Sequence, residues 1–267
     1  MTLAVIAYAG RGVARPRYHS NDTSGDLLPI QPVEMDIRDA RGLEMTLDGA
    51  GFTLCAHRSA VTDFTDRSAV DATYRPEIVA LVGALSGADL VVVNNPGVLR
   101  FSERSAKSGT MDNSRPARFA HVDVSDATAA AFAQRASPEG RRVSRFAHYN
   151  IWRVISDPPQ DVPLAVCDAR SVAPRDLVPS ELLYRDRRGE TYNVTYSAGH
   201  RWFYAPQMRS DEALLIKCFD SRDDGRTARF APHTAFEDPT TPANAPPRES
   251  LELRTYLFFG SGPQQRH

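Results

Sequence analysis

The sequence is poor in lysine: of its 32 basic residues only Lys107 and Lys217 are lysines. It is poor in cysteine as well. Cys55, Cys167 and Cys218 are an odd number, scattered and without CxxC spacing, which argues against a disulfide framework or a zinc knuckle and suits a reducing, cytoplasmic setting. No apolar run approaches the length of a bilayer span. Met1 to Ala9 is apolar but lacks the basic start and long apolar stretch of a signal peptide. Nor is charge of one sign in excess. The formal net charge is -1 and the isoelectric point about 6.7, so no overall field invites nucleic acid or an acidic membrane. There is no internal repeat. What remains is an ordinary soluble composition, 42% hydrophobic and 24% charged over 267 residues, long enough for one domain with a substantial core.

The chain changes character along its length. In residues 1–118 the elements are mixed and are expected to flank a core. Val33 to Ile37 alternates like a strand, and Leu90 to Val93 reads as a buried strand closed by the Asn94-Asn95-Pro96-Gly97 turn. Ala69 to Ser86 reads as a helix with Tyr74, Ile78, Leu81, Val82 and Leu85 on one face. Ser102 to Pro116 is polar and reads as a loop that closes over a site when ligand binds. From Phe119 short β-rich segments follow one another: Phe119 to Val124, Arg145 to Ile155, Leu164 to Cys167, His200 to Tyr204, Ala213 to Phe219, Phe230 to Phe236 and Glu249 to Phe259. Ala127 to Arg135 is the one convincing helix among them. The expected fold is mainly β with flanking helices, a double-stranded β-helix (cupin-like jelly roll) occupying residues 119–260 of a single domain, 1–267.

Three pieces of sequence fit one metal site. His121-Val122-Asp123 places two ligand types at i and i+2, which share a face of a strand. No other histidine here is followed two places on by an acid. A distant second histidine would complete the 2-His-1-carboxylate arrangement that holds Fe(II) with open positions. His233 is in the penultimate strand and His200 two strands too early, so strand order favours His233 while both remain candidates. His148, on an aromatic-rich strand, reads as a core or pocket residue. Arg248-Glu249-Ser250 follows, with Arg and Ser on one face, a fork and a hydroxyl suited to the far carboxylate of 2-oxoglutarate. Arg254 competes with Arg248 for that role.

The segments around these residues resemble a known family. They are Asp39-Ala40-Arg41, Leu47 to Phe52, His121 to Asp123, Tyr149 to Arg153, Pro163 to Asp168, His200 to Tyr204, Lys217 to Ser221, Pro232 to Phe236 and Pro247 to Ser250. The chain resembles the CmcJ/NvfI-type (AsaB-like, gibberellin-desaturase-like) non-haem oxygenases of specialised metabolism. The resemblance implies Fe(II) on His121, Asp123 and His233, and 2-oxoglutarate held by Arg248 and Ser250. It further implies a small-molecule substrate oxidised with O2 by hydroxylation, desaturation or ring formation. Asn150 and Trp152, which share a strand face, are expected to line the pocket, with Lys217, Arg100 and Arg153 as further substrate contacts. Lys217 on an apolar strand calls for a buried anion: a ligand's carboxylate, or Asp220 or Glu212. A homodimer is left open. Two other classes compete: a cupin-like metal dioxygenase or isomerase that does not need 2-oxoglutarate, and a non-catalytic β-barrel ligand-binding protein.

Overall fold

Alternating strands with turn-forming loops close into two facing sheets in the computed structural model, which describes residues 1–20, 23–111, 114–137, 139 and 143–260. In chain order the strands are β1 (Thr2–Ala9), β2 (Arg17–His19), β3 (Ile30–Asp39), β4 (Phe52–Ala56), β5 (Leu90–Val93), β6 (Val98–Phe101), β7 (His121–Val122), β8 (Arg145–Val154), β9 (Leu164–Cys167), β10 (Leu177–Leu183), β11 (Arg188–Val194), β12 (Trp202–Tyr204), β13 (Glu212–Asp220), β14 (His233–Ala235) and β15 (Glu249–Phe259). One sheet runs β1-β3-β12-β9-β14-β7-β11-β10-β2 and the other β4-β13-β8-β15-β5, with β6 also on β15. Strands from beyond residue 118 fill the middle of both sheets, and those before it take the edges. The architecture is a jelly roll of cupin type, as expected from the sequence.

Burial sorts by face. Phe52, Trp152, Val154, Val166, Phe203, Leu214 and Ile216 interlock between the sheets. The back of the six-stranded sheet, through Tyr149, Ile151, Leu215, Leu251 and Leu253, is covered by a helix. That helix comprises α1 (Arg67–Ala69), a π turn over Val70–Tyr74 and α2 (Arg75–Ser86). Asp66 caps it by accepting from the Ser68 and Ala69 backbone N–H groups, and Gly87, at a φ of 66°, ends it. Its buried stripe is Val70, Tyr74, Ile78 and Val82, each four residues on. That spacing carries the stripe away from Leu85, which is 46% exposed, contrary to its expected place on the core face. None of the described helices is long and apolar enough to cross a membrane. Of the loop expected over 102–116, residues 112 and 113 lie outside the described residues. Its first residue, Ser102, is buried and donates to Asp161 Oδ2.

Candidate metal centre and its cavities

His121 and His233 are direct cross-strand partners on β7 and β14, so their side chains leave the same face of the sheet. Val166, opposite His233 on β9, belongs to the core between the sheets, and that face is therefore the interior. The ring centroids are 4.5 Å apart. Each ring is oriented in the same way, by a contact to the backbone carbonyl two residues earlier: His121 Nδ1 to Phe119 O at 2.9 Å and His233 Nδ1 to Ala231 O at 3.2 Å. A carbonyl only accepts, so both Nδ1 atoms carry the proton and both Nε2 lone pairs are free for a cation.

Both Nε2 atoms converge on one oxygen. Asp123 Oδ1 is 3.3 Å from His121 Nε2 and 3.7 Å from His233 Nε2, and one ligand atom from each residue falls within 4.8 Å of the others. Strand β7 ends at Val122, shorter than expected, and Asp123 sits between that end and Ser125, the N-cap of α3 (Asp126–Ala136). The second carboxylate oxygen is occupied: Oδ2 accepts from Asn150 Nδ2 at 2.6 Å and Arg254 Nη2 at 3.1 Å. Asp123 is thus disposed to give a metal one oxygen.

Burial alone would push the Asp123 carboxyl up, but Arg254 and the two histidines hold it well below the ordinary carboxylate range. Burial, then the charge of His233, lowers His121. In His233 burial acts the same way and is outweighed by Asp123, so it is raised.

Arg248 reaches the same place from the start of β15. A small cavity of about 20 Å³ is lined by Arg100, Ala117, His121, Trp152, Leu164, His233, Ala235, Arg248 and Glu252. Arg248 is 1% exposed, donates from Nη1 to Val162 O at 2.8 Å, and lies over the Trp152 ring at 5.5 Å. Its Nε is buried with no hydrogen-bond partner. A guanidinium so buried is pressed, first by desolvation and next by the charges of Arg100 and Arg118, down to about 9. An anion would relieve all of this. Ser250 Oγ, two residues on, is 3.5 Å from Arg100 O. The competing Arg254 is already engaged, by Asp123 Oδ2 and by Glu252 Oε1 at 3.0 Å. Glu252, which sequence reasoning did not single out, balances Arg254 inside the cavity wall.

Two larger cavities meet at Asp123 and Arg254. One, of about 800 Å³, is walled by α3 and the β10–β11 hairpin and includes Phe132, Tyr184 and Tyr256. The other, about 230 Å³, includes Tyr18, Arg100, Phe119, His121 and Tyr184. Asn193 was also missed. It lies opposite His121 across the β11–β7 ladder and so faces inward, fully buried, with neither amide atom hydrogen-bonded.

Of the other expected contacts, the structure brings Asn150, Trp152 and Arg100 to this region and places two residues elsewhere. Arg153 points to the back of the six-stranded sheet, where Nε donates to Tyr74 Oη at 3.1 Å and Nη2 to His57 O at 3.0 Å. Lys217 pairs with Asp48 at 2.7 Å and Asp220 at 2.8 Å. Regular alternation along β13 would put Lys217 and Phe219 on one face, but the ladder to β8 shifts register between them. Such a bulge sends Lys217 out and Phe219 in. As substrate contacts both Arg153 and Lys217 are corrected: each ends in an internal polar network on the far side of a strand. His200 contacts Tyr8 Oη at 3.2 Å and Asp176 Oδ2 at 3.3 Å, apart from the triad. His148 is buried between Phe132 and Tyr256 with both ring nitrogens unpartnered.

Residues 11–258 match a family model described as "YDMC: Oxidoreductase/YMDC permease-like domain". The hydroxylase/desaturase asaB of Aspergillus flavus is 48% identical over 133 residues, 45% of this chain and 58% of that protein. The Fe(II)/2-oxoglutarate-dependent dioxygenase nvfI of Aspergillus novofumigatus is 33% identical over 73% of this chain and 69% of its own. The alpha-ketoglutarate-dependent dioxygenase phiK of a fungal species is 32% identical over 84% and 83%. A solved structure of the iron and alpha-ketoglutarate-dependent endoperoxidase NvfI superposes with a TM-score of 0.83 at 27% identity, covering 97% of this chain and 98% of that one. Matched over most of its length in sequence and throughout its fold, the chain belongs to the family of non-haem oxygenases that includes nvfI, phiK and asaB.

Proposed function

We propose that the protein is an Fe(II)/2-oxoglutarate-dependent oxygenase of a small molecule in specialised metabolism. In this reading His121, Asp123 and His233 hold the metal, and Arg248 with Ser250 holds the distal carboxylate of 2-oxoglutarate. The observation that carries it is the buried, unpartnered Nε of Arg248 in the same cavity as the two histidines. A 2-oxoglutarate-independent metal enzyme has no use for that guanidinium, and a non-catalytic barrel has no use for three converging ligands. The donor set suits the metal: two imidazoles and a carboxylate on one side of the site leave its other side open. The cavity is tight, so its lining must open to admit a five-carbon dicarboxylate.

When bound, Fe(II) and 2-oxoglutarate supply the oxidising power, by coupling reduction of dioxygen to decarboxylation of the cosubstrate to succinate. The residues of this chain do the rest. Asn150 and Arg254 hold Asp123 by Oδ2, so that Oδ1 alone would be left for a metal. The Phe119 and Ala231 carbonyls set the imidazole planes. Phe132, Tyr184 and Tyr256 wall the larger cavity, where they would hold a substrate beside the metal ligands. A reducing, cytoplasmic compartment is part of the proposal and is supported by three free cysteines. The test is succinate release from 2-oxoglutarate by the purified protein. The reading requires release that depends on both Fe(II) and O2, and its absence would refute it.

A further inference from the structure

The cavity of about 800 Å³ changes character from its inner end to its rim. Asp123 and Arg254 stand at the inner end, Phe132, Tyr184 and Tyr256 wall the middle, and the exposed Arg135 and Arg188 form the rim. Helix geometry accounts for this order. Thr128 Oγ1 donates to Glu190 O at 2.7 Å and docks the start of α3 on β11. Thr128, Phe132 and Arg135 then recur at helical spacing on the cavity face. At a rise of about 1.5 Å per residue, Arg135 lies about 14 Å along the axis from Asp126, where α3 begins.

Most of the charge around the cavity is paired. Arg15 meets Glu181 at 3.2 Å, Arg187 meets Asp186 at 3.3 Å, and Arg254 serves Asp123 and Glu252. Arg135 donates from Nε to Ala131 O at 3.3 Å, with its guanidinium 5.1 Å from the Phe132 ring. Neither Arg135 nor Arg188 has a carboxylate partner among the described residues. Glu190 is the remaining acid of the lining, one against two. A basic residue in the last turn also suits the helix dipole, but that use does not require a place on the cavity face. Burial raises the Tyr256 hydroxyl while the charges of Arg254 and Arg135 pull it down, so the Arg135 charge is felt within the cavity. Resting on the oxygenase reading above, we propose that the substrate is a carboxylic acid with an apolar, ring-bearing body. Arg135 and Arg188 hold its carboxylate at the rim, and the rings lie along Phe132, Tyr184 and Tyr256. The carbon to be oxidised is then at the end remote from the carboxylate, beside Asp123.

The test uses pyrenebutyrate and its methyl ester, the same rings and chain with and without the charge, titrated by fluorescence. The protein is loaded with Fe(II) and 2-oxoglutarate and O2 is excluded. The wild type should bind the acid about tenfold more tightly than the ester. Arg135→Gln and Arg188→Gln should each weaken the acid by about threefold and together by about tenfold, the scale of partly exposed ion pairs. The ester should stay within about twofold. Arg185→Gln, at an exposed arginine outside the cavity lining, should change neither probe. Both rim arginines are exposed, so thermal unfolding should match the wild type; should the double variant fail to fold, the single variants carry the comparison. Equal wild-type affinity for the two probes, an acid affinity that survives both substitutions, or a matching loss in Arg185→Gln overturns the proposal and leaves the functional reading standing. A wild type that takes up no Fe(II) or 2-oxoglutarate at the loading step overturns the functional reading, and the proposal with it.

Discussion

Arg254 Nη2 stands 3.1 Å from Asp123 Oδ2 while Asp123 Oδ1 faces the two histidines. The arginine thus orients the metal carboxylate and is not available to the cosubstrate. Arg254→Ala should weaken Fe(II) or Co(II) binding by about 10- to 100-fold, the usual cost of losing an outer partner of a ligand. The ratio of 2-oxoglutarate to 2-oxopentanoate affinity, measured at saturating metal, should be preserved. A normal metal affinity with a lost ratio would move the anchor to Arg254.

Arg248→Ala is expected to do the opposite. Affinity for 2-oxoglutarate should fall by about 2–5 kcal/mol, as when one partner of a buried charged pair is removed. Ser250→Ala should cost about 1–2 kcal/mol, one hydrogen bond to a charged group. Metal titration of both variants should match the wild type.

Metal affinity should depend on pH with a definite sign. In the metal-free protein His233 is raised above its ordinary value by Asp123, so its proton must leave when metal binds. Apparent affinity should therefore rise as pH increases from about 6.5 upward, with proton uptake by the buffer measurable by calorimetry in buffers of different ionisation enthalpy. The same pairing stabilises the metal-free fold fully below about 6.5 and is lost as pH rises through the raised folded value. Metal should thus stabilise the protein more at pH 8 than at pH 6, as read from thermal unfolding.

His148 supplies an acid-lability signal with the other sign. Burial, then the charge of Arg254, lowers it to about 3. The unfolded chain takes up that proton near 6.5 and the folded one does not, so stability falls as pH drops from about 6.5 toward 3. The slope from this group approaches about 1.4 kcal/mol per pH unit. His148→Leu should flatten the profile by that amount in urea unfolding over this range. An unchanged slope would show that His148 is not held neutral.

Asn193 makes the ligand-free protein less stable than its packing allows. Asn193→Leu, of similar volume and without unmet donors and acceptors, should raise stability by about 1–3 kcal/mol. Chemical denaturation would show it. A loss of stability would mean the amide is satisfied within the fold.

How much of this was legible in sequence depends on whether a strand has one wet face. Leu90–Val93, Leu164–Cys167 and Glu249–Phe259 were bounded correctly because apolar runs ended at turn residues. The triad was legible because i and i+2 ligands and a penultimate-strand histidine need only motif order. Faces were harder. Every residue of β8 is buried, so alternation there could not say whether Asn150 and Trp152 or Tyr149 and Arg153 faced the site. The β13 bulge misled for Lys217. Strands β10 and β11, which wall the larger cavity, carry Pro179 and Gly189 and many polar residues, the signature of a loop. Glu252 and Asn193 matter only through cross-strand neighbours that no local pattern reveals.

The most direct measurement is an anaerobic titration of the protein with Fe(II) and then 2-oxoglutarate, followed in the visible. The account predicts a single Fe(II) per chain, a charge-transfer band that saturates with 2-oxoglutarate, and loss of both in His121→Ala, Asp123→Ala and His233→Ala with the fold intact. Iron binding that survives His233→Ala and disappears in His200→Ala, or a wild-type protein that binds iron and gives no band with 2-oxoglutarate, would contradict it.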